Sequence, residues 1–213
     1  MVLLCIIASV LLAGCSSSSP RFRSEPTAEA QHEDENELRF ATRIRAEEEK
    51  EDDRKVDVEK VRKRLAPERA AGREYPNRTP AGLDRDRLLL DVVSYLGTPY
   101  RYGGNTKEGI DCSGFTARVY ASGASKQLPR SAKGQFAVGS PVAKSNLAFG
   151  DLVFFNTTGR RPSHVGIYIE DDLFAHASVT RGVTFSSLES TYYRKRFVGA
   201  RRVVSADSPS SSR

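Results

Sequence analysis

The feature that most restricts the fold lies between residues 150 and 203. There the sequence falls into short runs rich in Val, Phe, Ile and Tyr: DLVFF (151–155), HVGIYI (164–169), LFAHAS (173–178), GVTF (182–185) and FVGARRV (197–203). Each run is bounded by Gly, Asp or Ser turn formers, the pattern of β-strands joined by turns. Upstream, a different period holds. Leu88, Leu89, Val92, Val93 and Leu96 recur at i, i+3 and i+4, with Asp84 placed as an N-cap and Gly97 as the stop. A second helix is predicted over about 112–122, with Phe115, Val119 and Tyr120 turned inward. Helices first and strands later specify an α+β domain with an antiparallel sheet.

Composition sets the limits of that domain. In residues 16–82 charged and small polar residues dominate, and both signs are mixed. Such a segment buries too little apolar surface to offset the entropy of ordering, so 15–82 is predicted to be a largely disordered tether. Within it Val58, Val61 and Leu65 fall at helical spacing, which allows a short amphipathic or solvated helix over about 55–66. Pro67, Pro76 and Pro80 then break it. Residues 83–203 are predicted to form one folded domain with one core, and 204–213 a polar, disordered tail. The chain carries 33 Lys and Arg against 27 Asp and Glu, a net charge of +6, and the excess falls in the C-terminal part.

The first fifteen residues, MVLLCIIASVLLAGC, form an apolar run too short to span a bilayer comfortably and of the length of a signal-peptide core. Leu12, Ala13, Gly14 and Cys15 resemble the lipobox of bacterial lipoproteins. That resemblance implies a signal peptide over 1–14, cleavage before Cys15 and lipidation of Cys15, which anchors the chain to a membrane. With Ser16 following, it also implies sorting to the outer membrane, facing the periplasm. An exported chain is expected to have no nucleic-acid partner and to be a monomer. A protein partner at the tether stays open.

With Cys5 in the signal and Cys15 lipidated, Cys112 is the one remaining thiol. An unpaired thiol in an oxidising compartment reads as reactive or intermolecular. At the start of a helix its thiolate faces the positive end of the macrodipole. A nucleophilic cysteine also needs a base, and the base needs a group to orient it. Of three histidines, His32 lies in the tether, His164 opens one strand and His176 lies within the next. On adjacent antiparallel strands the two rings stand side by side, so that His164 activates Cys112 and His176 holds His164. Taken singly, each of these residues also reads as a buried structural side chain. It is the combination that points to thiol chemistry. No CxxC or close His pair is present, so neither a metal nor another cofactor is expected.

The motifs YRYGG (100–104), DCSGF (111–115), LPRS (128–131), GDLVFF (150–155), HVGIY (164–168) and HAS (176–178) resemble, in this order, those of the NlpC/P60 cysteine peptidases. The resemblance covers about 86–203. It implies a papain-like α+β core, with N-terminal helices packed on an antiparallel sheet. It also implies hydrolysis of peptide bonds in the peptidoglycan stem, next to D-Glu or diaminopimelate. Carried over by position, Cys112 matches the nucleophile, His164 the base and His176 the third polar residue. Tyr100 matches a tyrosine whose hydroxyl helps form the oxyanion site. Asp111 and Ser113 match positions that contact substrate, and Arg130 and Ser131 match a segment lining the cleft. A basic face suits a wall polymer bearing free carboxylates, though the same charge serves solubility. Two other readings stay open: an amidase or acyltransferase on the same core, acting on wall or lipid substrates, and a non-catalytic lipoprotein scaffold.

Overall fold

The computed structural model describes residues 44, 46–52, 55–65, 79, 82–159 and 162–203. The signal peptide 1–14, Cys15, His32, much of the tether and the tail 204–213 lie outside the described residues. Compactness divides the chain at residues 39 and 40, and everything described belongs to the second unit. Among the described residues no helix is long and apolar enough to cross a membrane.

The two helices read from sequence are present. The first, α3 (Arg85–Tyr95), is capped by Asp84, whose side chain accepts from Arg87 N–H at 2.9 Å. It ends at Gly97, whose φ of +79° takes the chain out of the helix. The second, α4 (Cys112–Gly123), is capped by Asp111 and buries Phe115, Val119 and Tyr120. Between them Asn105–Thr106 (β1) and Gly109–Ile110 (β2) pair as a small ribbon.

The expected strands form one sheet. They are β4 (Leu152–Phe155), β5 (His164–Glu170), β6 (Leu173–Ser178), β7 (Gly182–Ser187) and β8 (Phe197–Arg202). A short strand, β3 (Ser140–Val142), joins at the edge, giving the order β3-β8-β4-β5-β6-β7 with every neighbouring pair antiparallel. The fold is α+β, as expected. Asp151, read as the first residue of a strand, instead lies just before β4 as a buried carboxylate that accepts from Arg202 Nε at 2.8 Å and Nη2 at 2.7 Å.

Alternation along the strands gives the sheet two apolar faces. Leu152, Phe154, Val165, Ile167, Ala175 and Ala177 join the main core with Leu88 and Val92 of α3 and Phe115 and Val119 of α4. Val153, Phe155 and Phe174 turn the other way, against Tyr192 and Tyr193 of the short helix α6 (Thr191–Arg196). A further short helix, α5 (Ala132–Phe136), follows α4.

Within 15–82, expected to be a largely disordered tether, 46–52 (α1) and Val58–Leu65 (α2) are helical. Helix α2 is the amphipathic alternative rather than the solvated one, because Val61 and Leu65 are buried in the main core. Helix α1 rests on α6 through polar contacts. Arg196 pairs with Glu48 at 2.8 Å, Tyr193 OH donates to Glu49 at 3.1 Å, and Tyr192 N–H donates to Asp52 at 2.5 Å.

Candidate active site

The site is built on the first turn of α4, and Asp111 organises it. Its carboxylate accepts from Gly114 N–H at 2.7 Å, which caps the helix, and from Gly103 N–H at 2.9 Å, which ties down the preceding loop. Arg130 grips the same carboxylate with two nitrogens, at 2.7 and 3.0 Å, and also donates to the Gly104 carbonyl at 2.6 Å. The loop presses against the helix so closely that a Cβ at Gly114 would stand 2.6 Å from the Gly104 carbonyl oxygen. Burial acts to raise the Asp111 carboxyl, but Arg130 and the two N–H donors outweigh it and hold the group below its ordinary value.

The expected substrate contacts Asp111, Ser113 and Arg130 are thus joined to one another beneath the loop. Ser113 Oγ lies 3.1 Å from Asp111 and accepts from Arg130 at 3.0 Å. Ser131 caps α5, accepting from Gly134 N–H at 3.1 Å. Sequence reasoning missed Gln135, which is fully buried, donates to the Ser113 and Pro129 carbonyls at 2.9 Å each, and accepts from Thr116 at 2.7 Å. It fastens α5 to the first turn of α4.

Cys112 is the first residue of that turn and is 6% exposed. The N–H groups of Val165, Ser113 and Cys112 itself point at its sulfur. The contact with Val165 sets the thiol against the beginning of β5, the strand that His164 opens. The two histidines lie on the face of the sheet that α6 covers, since His164 stands opposite Phe155 in the register. His164 Nε2 and His176 Nδ1 are 2.9 Å apart, and His176 Nε2 reaches Ser186 Oγ on β7 at 2.8 Å. The three residues run diagonally across β5, β6 and β7.

Gly166 makes the histidine contact possible. The register that places Ile167 opposite Ala175 places Gly166 opposite His176. A Cβ there would stand 2.7 Å from the Phe174 ring, 2.8 Å from the Ala175 carbonyl oxygen and 3.2 Å from His176 Cβ.

Electrostatics define the resting state. Burial pushes the Cys112 thiol up to about 11, and the Asp111 charge adds to the rise, while the three N–H groups oppose it. The sequence expectation of a thiolate stabilised by the helix terminus is therefore corrected: burial wins, and the resting group is a thiol. Burial lowers His164 to about 4, partly offset by Asp111. His176 is also held well below its ordinary value, first by burial and then by His164 and Arg181. Both rings are neutral at neutral pH. No hydrogen bond joins Cys112 directly to His164 among the described residues. Tyr100 lies beside the nucleophile on a bridge to Ile110. Burial, with the neighbouring Cys112 and Asp111 adding to it, raises its hydroxyl well above the ordinary value, so it stays an O–H donor. The four residues together offer a proton-accepting ring, a thiol and an oxyanion donor, the parts needed for acyl transfer.

Comparison with known proteins agrees with this geometry. The sequence model of the NlpC/P60 family matches residues 97–202. The chain is 48% identical over 113 residues to the probable endopeptidase NlpC of Escherichia coli, an alignment covering 53% of this chain and 73% of that one. It is 46% identical over 123 residues to the murein DD-endopeptidase/murein LD-carboxypeptidase MepS of Escherichia coli, covering 57% of this chain and 64% of that protein, less than two thirds of its length. Among solved structures, an NlpC/P60 family protein from Bacillus cereus superposes with a TM-score of 0.52 at 35% identity, over 56% of this chain and 40% of that one. The chain belongs to the NlpC/P60 family.

Proposed function

We propose that this protein is a cysteine peptidase that hydrolyses peptide bonds in the peptidoglycan stem, next to D-Glu or diaminopimelate. The observation that carries the reading is the buried Cys112 at the head of α4, set against the start of β5, the strand opened by His164, whose ring is bonded in turn to His176. Family membership and the endopeptidase names of its relatives support it.

Substrate binding brings the scissile carbonyl onto Cys112. Because thiol and imidazole start neutral, His164 Nδ1 takes the thiol proton as sulfur attacks. The oxyanion is met by the Cys112 N–H and the Tyr100 hydroxyl. The imidazolium then gives its proton to the leaving amine, and a thioester remains on Cys112. His164 next draws a proton from water, which attacks the thioester, releases the new carboxylic acid and returns the thiol. His176 keeps the His164 ring in place throughout, through the bond at 2.9 Å. Asp111 and Arg130 hold the loop that carries Tyr100 against α4.

The same proposal places the chain on the outer membrane, held by lipidated Cys15 and facing the periplasm, on the strength of the lipobox resemblance in LAGC (12–15). The test is mass spectrometry of purified muropeptides after digestion. A peptidase leaves the glycan attached to a shortened stem. Release of the intact stem from the glycan would instead mean an amidase.

A further inference from the structure

The hydrogen-bond chain does not stop at His176. Its Nε2 also lies 3.3 Å from the Tyr193 hydroxyl, which donates to Glu49 Oε1 at 3.1 Å. Tyr193 is fully buried and Glu49 is 6% exposed. Glu49 belongs to α1, upstream of the family-matched residues 97–202. Helix α1 is held in place independently of Glu49, by Glu48 on Arg196 and Asp52 on the Tyr192 N–H. A carboxylate from the charged segment ahead of the domain is thereby linked, through one hydroxyl, to the histidine pair.

The direction of that chain decides whether His164 is a base. A neutral imidazole carries one N–H and one lone pair, and both rings are neutral here. For Nδ1 of His164 to accept a proton, its Nε2 must carry the hydrogen and donate it to His176 Nδ1. His176 must then carry its own hydrogen on Nε2 and donate it to Ser186 Oγ or to the Tyr193 oxygen. Tyr193 is an acceptor for that hydrogen only while its own O–H points elsewhere. Glu49 Oε1 accepts the Tyr193 O–H at 3.1 Å, and this turns the hydroxyl hydrogen away from His176. With the Tyr193 O–H on His176 Nε2 instead, both rings switch tautomer. His164 Nδ1 then carries the hydrogen and cannot take a proton from Cys112.

We propose that Glu49 is a positioning residue for this site: through Tyr193 its carboxylate sets the direction of the His176–His164 hydrogen bond, so that His164 presents Nδ1 to Cys112. The consequence for activity rests on the peptidase reading above, whereas the tautomers do not.

The test uses the full chain labelled with nitrogen-15. Long-range nitrogen–proton correlation identifies the protonated nitrogen of each ring, and only three imidazoles are present. The native protein is expected to show Nε2–H on both His164 and His176. Glu49→Gln, which keeps the shape but supplies a donor, is expected to shift both rings toward Nδ1–H. Alkylation of Cys112 by iodoacetamide, read by peptide mapping, is expected to slow about tenfold or more, because a catalytic histidine held in the wrong tautomer no longer takes the thiol proton. On muropeptides kcat falls with KM unchanged. Tyr193→Phe removes the hydroxyl that would turn onto His176, so this variant is expected to keep Nε2–H on both rings and native alkylation. Adding Glu49→Gln to Tyr193→Phe then changes nothing, whereas a role confined to docking α1 predicts a loss in that background too. Native tautomers and alkylation in Glu49→Gln overturn the proposal, as does a full Glu49→Gln effect in the Tyr193→Phe background. Tautomers that shift in a protein that cleaves no muropeptide uphold it and instead sink the peptidase reading.

Discussion

Acid should unfold this protein through its histidines before its carboxylates, and the size of the effect follows from burial. His164 is buried and lowered to about 4 in the folded chain, against about 6.5 when unfolded. Because the folded value is depressed, the unfolded chain binds the proton first as pH drops. The stability this group contributes is complete above about pH 6.5 and is lost as pH falls toward 4. Between pH 7.5 and 4.5 these two values correspond to about 2.5 kcal/mol from His164 alone. His176, shifted the same way by burial and by the charges of His164 and Arg181, adds to the loss. Asp111 is also depressed, but its contribution fades mainly below the ordinary carboxylate range near 4, outside this window. Urea unfolding followed by circular dichroism at both pH values measures the difference. The native chain should lose about 2.5 kcal/mol more than His164→Gln between pH 7.5 and 4.5. Equal losses in the two proteins would refute the claim that His164 is buried in its neutral form.

Gly166→Ala drives a Cβ to 2.7 Å from the Phe174 ring and 2.8 Å from the Ala175 carbonyl, so a destabilisation of about 1–3 kcal/mol and slower muropeptide turnover are expected. A native melting temperature would contradict that packing argument. Arg130→Met leaves the buried Asp111 with its N–H donors but no counter-charge. Because Arg130 is partly exposed, a loss of only about 1–2 kcal/mol at pH 7 is expected, read by denaturant midpoint. Tyr100→Phe removes an oxyanion donor, and kcat on muropeptides should fall roughly 100-fold or more with little change in KM.

The parts of this structure that could be read from sequence are those with a repeating pattern. Helices α3 and α4 and strands β4 to β8 each carry a run of apolar residues at one period, and their bounds fell within a few residues of those expected. Helix α5, helix α6 and strand β3 are three to six residues long and carry no such run. Strand β3 contains Pro141 and exists because β8 pairs with it. Cys112 and the two histidines were legible because a thiol, a base and an orienting group form a chemical set. Ser186, Gln135 and Tyr193 were not, since a single polar residue on a strand or short helix gives no signal until its partner is known. Glu49 and Asp52 were the least legible. The run EEEKEDD (47–53) reads as a solvated face, and its burial depends on donors on α6, 144 and 140 residues away. The resting thiol also escaped the sequence argument, because the helix terminus could be inferred from Asp111 but the burial around Cys112 could not.

The central claim is that Cys112 forms the covalent intermediate in peptide hydrolysis, and Cys112→Ala tests it most directly. The substitution removes one buried sulfur atom and leaves Asp111, Arg130 and the histidine pair in place, so the variant should keep a cooperative thermal unfolding transition. Muropeptide cleavage, measured by mass spectrometry of stem-peptide products over time, should fall to the uncatalysed level. Cleavage by folded Cys112→Ala at a rate near that of the native protein would contradict the account.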